Sequence, residues 1–331
     1  MTTIYLCGTL PQHDVAIWQD ALRQALPGND WVFNIGDQPW PALDSDAALR
    51  SRIDIALVAN PSPAQVAQLA ALPHLRLIQS LWAGVEKLTS QPDWPRHIPL
   101  ARMVDPRMTQ AMAQTAVWAV LSLHRDFFGY QDQQAQRQWL ERQQPLARNC
   151  PVTVLGAGEL GLAVARQIAS LGYPVRAWSR AGTRQISWNG QQAVVGEPAA
   201  QDLDALLADT RIAINLLPLT AQTRGFYNAA RLAALPQGAS LINLARGGHV
   251  IDDDLLAALD NGHLHRAVLD VFNTEPLPQD HRYWTHPRVT VLPHIAAKTS
   301  PETGAELVAS NVAASRSGQP LQHQVEWERG Y

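Results

Sequence analysis

Three residues in the last third of the chain, Arg246, Glu275 and His294, have side chains that together could reduce a 2-keto acid. A planar guanidinium can bind a carboxylate and polarise a neighbouring carbonyl group. An imidazole can give a proton to the carbonyl oxygen, and a carboxylate beside it favours the protonated ring. Taken singly, each is equally compatible with a surface charge or a turn, since the chain has 11 histidines. However, each follows a short apolar stretch, and open α/β sheets bind ligands at the carboxyl ends of their strands.

A glycine-rich turn upstream indicates a cofactor. Gly156-Ala157-Gly158-Glu159-Leu160-Gly161 follows the apolar stretch Val152–Leu155 and opens a helical pattern. In that context the three glycines predict a dinucleotide-binding turn. Gly156 would permit the turn, Gly158 would let a diphosphate approach the backbone, and Gly161 would let helix and sheet pack closely. The helix N-terminus would offer N–H groups to the phosphates. The alternative is a glycine turn that serves packing alone.

The residues after the next predicted strand indicate which dinucleotide binds. Trp178 is followed by Ser179, Arg180 and then Arg184, with no acidic residue near the strand end. NAD enzymes usually place a carboxylate there to bind the ribose 2′-hydroxyl. Serine and arginine instead suit a 2′-phosphate, through charge-assisted hydrogen bonds of roughly 1.5–3 kcal/mol each. We therefore predict NADP(H), with NAD(H) as the weaker alternative; both arginines could instead be solvated loop residues.

Alternating strands and helices must position these residues. Short apolar stretches alternate with segments that are apolar at helical spacing, which predicts two α/β units with parallel sheets. The predicted strands are Ile4–Cys7, Ile53–Val58, Leu77–Ser80, Val152–Leu155, Val175–Trp178, Ile212–Leu216, Ser240–Asn243, Ala267–Val271 and Val289–Leu292. The predicted helices are His13–Leu26, Pro63–Ala71, Met108–Arg125, the glutamine-rich Gln131–Gln144, Leu160–Leu171 and Thr303–Ser315.

The composition limits the class of protein. A chain of 331 residues is long enough for two domains. A net charge of −3 gives no reason to expect a nucleic-acid partner. No apolar stretch approaches the ~20 residues of a membrane helix, and the first residues indicate a strand rather than a signal peptide. Two cysteines fit a reducing compartment, so we expect a cytoplasmic protein. The histidines and acids show no metal-ligand spacing, so no metal is expected.

The chain resembles the NAD(P)-dependent D-2-hydroxyacid dehydrogenases, and within them the glyoxylate/hydroxypyruvate reductases. The motifs that carry the family resemblance are Gly156–Gly161, Asn243–Gly248, Asp270–Pro278 and Pro293–Ala296. Those that favour the reductases are Leu81–Val85, Trp178–Arg180, Asn215–Pro218 and Arg329–Tyr331. The fold expected from patterns and resemblance is two Rossmann-like, doubly wound parallel-sheet domains. A flavodoxin-like substrate domain would comprise residues 1–100 and 296–331, and an NADP-binding domain residues 101–295.

The resemblance also implies roles for individual residues. Arg246 would bind the substrate, His294 would donate the proton, and Glu275 would be its partner. Asp270 would lie near the nicotinamide carboxamide. The remaining implied contacts are Leu217, Pro218 and Ala245 to the cofactor, and the main chain of Trp82, Ala83 and Gly84 to the substrate carboxylate.

Two departures from relatives leave the substrate open. Many relatives have glycine in place of Trp82, so this side chain either narrows the pocket toward two- and three-carbon acids or serves packing alone. Ala59-Asn60 replaces a Trp-His pair of similar reductases, which leaves the outer rim of the pocket undefined.

The leading hypothesis is an NADPH-dependent reductase taking glyoxylate to glycolate and hydroxypyruvate to D-glycerate. One alternative is a D-2-hydroxyacid dehydrogenase for larger keto acids; another is a dinucleotide-sensing scaffold protein. The resemblance implies a homodimer built on the helix at Met108–Arg125. Trp139 would either reach the neighbouring subunit's site or lie on the surface as an ordinary anchor. We expect neither a nucleic-acid nor a membrane partner.

Overall fold

The structure, a computed structural model, describes residues Thr3–Trp327. The chain divides into two compact units: a first unit, Met1–Met108 with Thr299–Tyr331, and a central unit, Thr109–Lys298. Both boundaries lie a few residues beyond the predicted ones, and the earlier one falls inside a helix, Pro106–His124. The C-terminal Arg329–Tyr331, which supported the resemblance, lies outside the described residues.

The first unit is built on a parallel sheet of five strands in the order β2-β1-β3-β4-β5. The strands are β1 Thr3–Gly8, β2 Asp30–Ile35, β3 Ile53–Ala59, β4 Leu77–Ser80 and β5 Leu100–Ala101. Its helices are α1 Gln12–Ala25, α2 Pro41–Ser45, α3 Ala47–Arg52, α4 Pro63–Ala70, α5 Glu86–Thr89 and, from the C-terminal segment, α12 Pro301–Ser317.

The central unit is built on an eight-stranded sheet in the order β13-β12-β11-β10-β6-β7-β8-β9. Its strands are β6 Val152–Leu155, β7 Val175–Ser179, β8 Gly182–Trp188, β9 Ala193–Val195, β10 Ile212–Asn215, β11 Ala239–Asn243, β12 Leu264–Leu269 and β13 Val289–Val291. Its helices are α6 Pro106–His124, which begins in the first unit, α7 Phe127–Ala135, α8 Glu159–Ala169, α9 Leu203–Ala208, α10 Ala229–Ala233 and α11 Asp252–Asp260.

The central strands carry apolar residues on both faces because both faces of the sheet are covered. Val154 of β6 and Ile214 of β10 belong to one core cluster, together with apolar residues of α6 and α8. Leu155 and Ala213, which alternate with them, belong to a second cluster that includes residues of α11. Strands covered on both faces are characteristic of parallel α/β sheets, and the predicted α/β architecture is confirmed.

Register brings the predicted catalytic loops to one edge of this sheet. Asn215 at the end of β10 pairs with Asn243 of β11, and Asn243 pairs with Leu269 of β12. Leu269 in turn pairs with Val291 of β13. The loops that follow these four strands therefore leave the sheet side by side.

One element of the central unit was missed, and the length of one helix was predicted wrongly. The segment after β7 is a hairpin, since β7–β8 and β8–β9 pair antiparallel. The glutamine-rich segment is helical only as far as Ala135, because Arg137 adopts a left-handed conformation with φ of 56°. The predictions also missed β2 and β5 in the first unit.

Candidate active site

The glycine turn after β6 has the geometry that its spacing predicts. Gly156 has φ of +115°, and a Cβ atom there would lie 2.4 Å from the Leu216 carbonyl oxygen. A Cβ at Gly161 would lie 1.7 Å from the Gly156 oxygen, so helix and turn touch. By contrast, nothing lies within 4 Å of a Cβ built at Gly158. The first and third glycines therefore serve close packing, and the second faces open space.

Helix α8 begins at this open space. Its N-cap residue is Gly158, and no side chain caps it. The first N–H groups of a helix lack intrahelical partners, and the macrodipole adds partial positive charge there. Glu159 is exposed, Leu160 packs against the core, and the Ala157 N–H donates to the Trp178 oxygen at 3.0 Å. An open, uncapped helix end behind a glycine turn fits the diphosphate of a dinucleotide.

The residues predicted to select the cofactor lie on the β7–β8 hairpin. Ser179 ends β7, and its hydroxyl donates to the Gly182 oxygen at 3.3 Å. Arg180 is exposed in the turn. Arg184 lies in β8 opposite Ala177, so the alternative that it is a loop residue does not hold. Since paired residues face the same way and side chains alternate, Ser179 and Arg184 share the sheet face against which α8 packs.

The loop after β10 contains Leu217 and Pro218. The Leu217 N–H donates to the Asn215 side-chain oxygen at 3.3 Å, and the Pro218 oxygen accepts from the Thr223 hydroxyl at 2.7 Å. Leu217 is buried and Pro218 is half-buried. The loop is thus fixed by its own side chains beside the glycine turn, whose Gly156 packs on the preceding Leu216.

Arg246 lies in the loop after β11, directly before a 3₁₀ turn at Gly247–His249. Its Nη1 donates to the Ala245 oxygen at 2.6 Å. A Cβ at Gly247 would lie 1.9 Å from the Phe272 carbonyl carbon, so only glycine allows this loop to touch the loop that carries Glu275. The two loops lie close enough that the positive charge of Arg246 lowers the pKa of Glu275.

Glu275 and His294 form the central pair of the site. His294 Nδ1 lies 2.7 Å from Glu275 Oε2, and the other carboxylate oxygen accepts the Phe272 N–H at 2.9 Å. Burial alone would raise the pKa of Glu275, but these hydrogen bonds and the charges of His294 and Arg246 bring it below its usual value. Because Nδ1 is bonded to Glu275, Nε2 is the ring nitrogen that faces away from this carboxylate. The His294 side chain is 50% exposed, so it is accessible to a ligand.

Asp270 fixes the backbone that follows His294. Its carboxylate is buried and accepts the N–H of Ile295 at 2.7 Å and that of Ala296 at 2.9 Å. Burial raises the pKa of this carboxyl group, although the two amide donors and the charge of His294 oppose the shift. The hydroxyl of Thr115 on α6 donates to the Ala296 oxygen at 3.0 Å. His294 itself has φ of 53°, a left-handed conformation that these contacts hold.

The loop predicted to bind the substrate carboxylate lies in the first unit. The Trp82 N–H, one of the amides predicted to contact the substrate carboxylate, donates to the Ser80 hydroxyl at 3.0 Å. Its oxygen accepts the Met103 N–H, and its indole packs against the core of the first unit. Of the two interpretations of Trp82, these contacts favour packing. Ala83 and Gly84 are half-buried. Their main-chain N–H groups are the ones that the resemblance assigns to the substrate carboxylate.

Sequence reasoning missed residues that hold the loops. Asn215 and Asn243 are fully buried at the ends of β10 and β11, and His249 is fully buried behind Arg246. The signal was present: the same tripeptide, Ile-Asn-Leu, ends both strands. A polar residue that ends an apolar strand needs a buried partner.

The described residues 3–327 contain no helix long and apolar enough to cross a membrane. Within the same range, no group of three or more His, Cys, Asp or Glu side chains is arranged to hold a metal ion.

The chain is similar to known proteins of one enzyme family. The model of the NAD binding domain of D-isomer specific 2-hydroxyacid dehydrogenases matches residues 117–296. A D-isomer specific 2-hydroxyacid dehydrogenase from Xanthobacter autotrophicus, solved with NADPH and MES, is 34% identical over 100% of this chain and 99% of that one, with a TM-score of 0.84. The NADPH-dependent glyoxylate/hydroxypyruvate reductase of Sinorhizobium meliloti, solved with NADP and sulfate, is 31% identical over 100% of both chains, with a TM-score of 0.84. A family protein from Klebsiella pneumoniae is 33% identical over 99% of this chain and 98% of that one, with a TM-score of 0.81.

Proposed function

The chain belongs to the family of D-isomer specific 2-hydroxyacid dehydrogenases, and from this premise we propose that it is an NADPH-dependent reductase of small 2-keto acids. Its substrates would be glyoxylate, reduced to glycolate, and hydroxypyruvate, reduced to D-glycerate. The observation that carries the proposal is the Glu275–His294 pair, 2.7 Å apart, beside the loop of Arg246. The family as a whole shares this chemistry, so the cofactor and the substrate need separate arguments.

The β7–β8 hairpin and two relatives support NADPH as the cofactor. Ser179 and Arg184 share the sheet face of α8, whose open N-terminus suits the diphosphate, and Arg180 lies in the adjoining turn. None of the residues from Trp178 to Arg184 is acidic. The Xanthobacter structure contains NADPH, and the Sinorhizobium enzyme is NADPH-dependent by name. When bound, NADPH supplies the hydride that reduces the carbonyl carbon.

His294 supplies the proton that this reduction requires. Its Nδ1 is held by Glu275, so the proton leaves from Nε2 toward the carbonyl oxygen. The Glu275 carboxylate stabilises the protonated ring before transfer and fixes its orientation. Asp270 holds the two amides that follow His294, so the ring is presented from a constrained backbone.

Arg246 binds the substrate carboxylate in this proposal. Its guanidinium can form a bidentate pair with the carboxylate and polarise the keto oxygen as negative charge develops. The resemblance adds the amides of Ala83 and Gly84 as further donors. Small substrates are supported by the relative that acts on glyoxylate and hydroxypyruvate; Trp82 does not add to that support, because its indole packs in the core.

We further propose that the protein acts as a homodimer in the cytoplasm. Apolar side chains are exposed on α6, α7 and the segment that follows: Trp118, Phe127, Trp139, Leu140 and Leu146. Trp139 is 97% exposed, which is unusual for a tryptophan in a monomeric protein. The two cysteines are buried and unpaired, in keeping with a reducing compartment.

The proposed function is tested by following NADPH oxidation with a panel of keto acids. We expect the highest kcat/KM with glyoxylate or hydroxypyruvate, lower values with pyruvate and branched keto acids, and weaker turnover with NADH. A preference for a branched keto acid would identify a different dehydrogenase of the family. No turnover with any keto acid, together with tight NADPH binding, would favour a dinucleotide-sensing scaffold.

A further inference from the structure

Two buried side-chain amides join the loop after β10 to the loop after β11. Asn215 accepts the Leu217 N–H and donates from Nδ2 to the Asn243 side-chain oxygen at 2.9 Å. Asn243 accepts the Ala245 N–H at 3.2 Å with the same oxygen and donates from Nδ2 to the Arg246 carbonyl oxygen at 3.0 Å. A continuous chain of hydrogen bonds thus runs from the Leu217 amide to the backbone of Arg246.

His249 forms a second connection between the same two loops. Its imidazole is fully buried, with Nδ1 3.1 Å from the Arg246 oxygen and Nε2 3.3 Å from the Pro218 oxygen. A neutral imidazole has one N–H, so the ring donates to one of these oxygens and packs against the other. The asparagine pair and the histidine therefore span the two loops at separate points. Displacement of Leu217 would have to move Arg246 or break a buried hydrogen bond of the asparagine pair.

We propose that Asn215 and Asn243 are positioning residues that couple the cofactor loop to Arg246, so that occupation of the adenosine side of the site tightens binding of the keto acid. This inference rests on the proposed function, in which Leu217 and Pro218 border the adenosine and Arg246 holds the substrate carboxylate.

The physical basis is the low polarity around the pair. Both asparagines are fully buried, so each broken bond leaves an amide group that water cannot satisfy. A cofactor that binds against Leu217 and Pro218 consequently stabilises the hydrogen-bonded arrangement, in which the Arg246 backbone is held. Two ligands that favour one arrangement bind cooperatively, and the effect is reciprocal.

Serine substitutions can break the cross-link and spare the local turns. In Asn243→Ser the hydroxyl can still accept the Ala245 N–H two residues on, but it is too short to reach both Asn215 and the Arg246 oxygen. Asn215→Ser likewise keeps the turn to Leu217 and loses the link to Asn243. The matched control is Thr210→Val, since Thr210 makes a buried hydroxyl pair with Thr153 at the opposite edge of the same sheet.

The test measures binding without turnover. Calorimetry gives the Kd of oxalate, a two-carbon dianion, with and without saturating adenosine 2′,5′-bisphosphate, a cofactor fragment that lacks the nicotinamide and cannot touch oxalate. In the unmodified protein we expect the fragment to lower this Kd at least about fivefold. In either serine variant we expect a change of less than about twofold, whereas Thr210→Val should retain the coupling with a similar loss in Tm.

Each outcome decides the inference. It is overturned if the unmodified protein shows no effect of the fragment, if a folded serine variant keeps the full effect, or if Thr210→Val loses it too. Asn215→Ser carries the test should Asn243→Ser not fold, because it breaks the same bond from the other side. If the unmodified protein shows the coupling but reduces no keto acid, the proposed function fails and the coupling stands; keto-acid reduction without coupling gives the reverse result.

Discussion

Two regions of the central unit differ in how firmly their side chains are held. At the carboxyl edge of the sheet, Asp270 is 1% exposed and its carboxylate accepts two main-chain N–H groups. At the β7–β8 turn, Arg180 is exposed and Ser179 makes one long hydrogen bond within the turn. The first region holds the groups proposed to act on the keto acid, and the second holds those proposed to choose the cofactor. In the first, a buried carboxylate holds the main chain that follows His294, and Glu275 holds the half-exposed ring of His294. In the second, few contacts constrain the side chains. The residues proposed for the reaction are thus oriented from a buried support, whereas those proposed for cofactor choice could change at little cost to the fold.

The largest effect is expected at the carboxyl edge. Replacing His294 with alanine should lower kcat about 10³-fold, since general acid catalysis contributes about 10²–10⁴-fold. The KM for the keto acid should change much less, because Arg246 remains. Steady-state kinetics of NADPH oxidation checks this, with His13→Ala as the control, since His13 is an exposed histidine on α1. Near-normal kcat would exclude His294 as the acid.

A charge-conserving change at Arg246 should have the next largest effect. Arg246→Lys retains the positive charge and loses the planar fork, so one charge-assisted hydrogen bond of roughly 1.5–3 kcal/mol is lost. The kcat/KM for glyoxylate should fall about 10- to 100-fold, mainly through KM. Arg288→Lys, which lies just before the start of β13 at the opposite edge, serves as the control. An unchanged kcat/KM would show that a point charge suffices.

The hairpin side of the comparison is tested by Arg180→Ala. Because a 2′-phosphate interacts with the guanidinium and a 2′-hydroxyl does not, the KM for NADPH should rise about tenfold and that for NADH less than twofold. Kinetics with both cofactors measures the ratio. Arg137→Ala, at another exposed arginine, should leave both values unchanged. Equal effects on NADPH and NADH would remove Arg180 from the cofactor site.

The same two regions show what sequence could and could not predict. The glycine turn, Arg246, Glu275 and His294 follow from residue type and strand position, because parallel strands deliver their loops to one edge. The hairpin was missed because short antiparallel edge strands such as Ala193–Val195 carry little apolar periodicity. The roles of Asn215 and Asn243 depend on which strands are neighbours. That order, β10 beside β11, is a property of the folded sheet and cannot be read from either strand alone.

The smallest expected effect is on stability, and its pH dependence reports the contribution of the Glu275–His294 pair. The pKa of Glu275 is lowered in the folded protein, so its ionised form contributes stability that is present above the pKa of the unfolded chain, about 4.3, and is lost as pH falls through the folded value. Glu275→Gln lacks this contribution. The Tm difference between the two proteins should therefore be largest near about pH 6, should not exceed about 4 °C since the pair is partly exposed, and should shrink toward about pH 3. Asp270, whose pKa is shifted the other way, is present in both proteins, so its own titration contributes little to the difference.

Thermal unfolding across this pH range, with the exposed Glu141→Gln as control, measures the effect. A difference that does not vary with pH would show that ionisation of Glu275 does not contribute to folding, and its role would then be confined to catalysis.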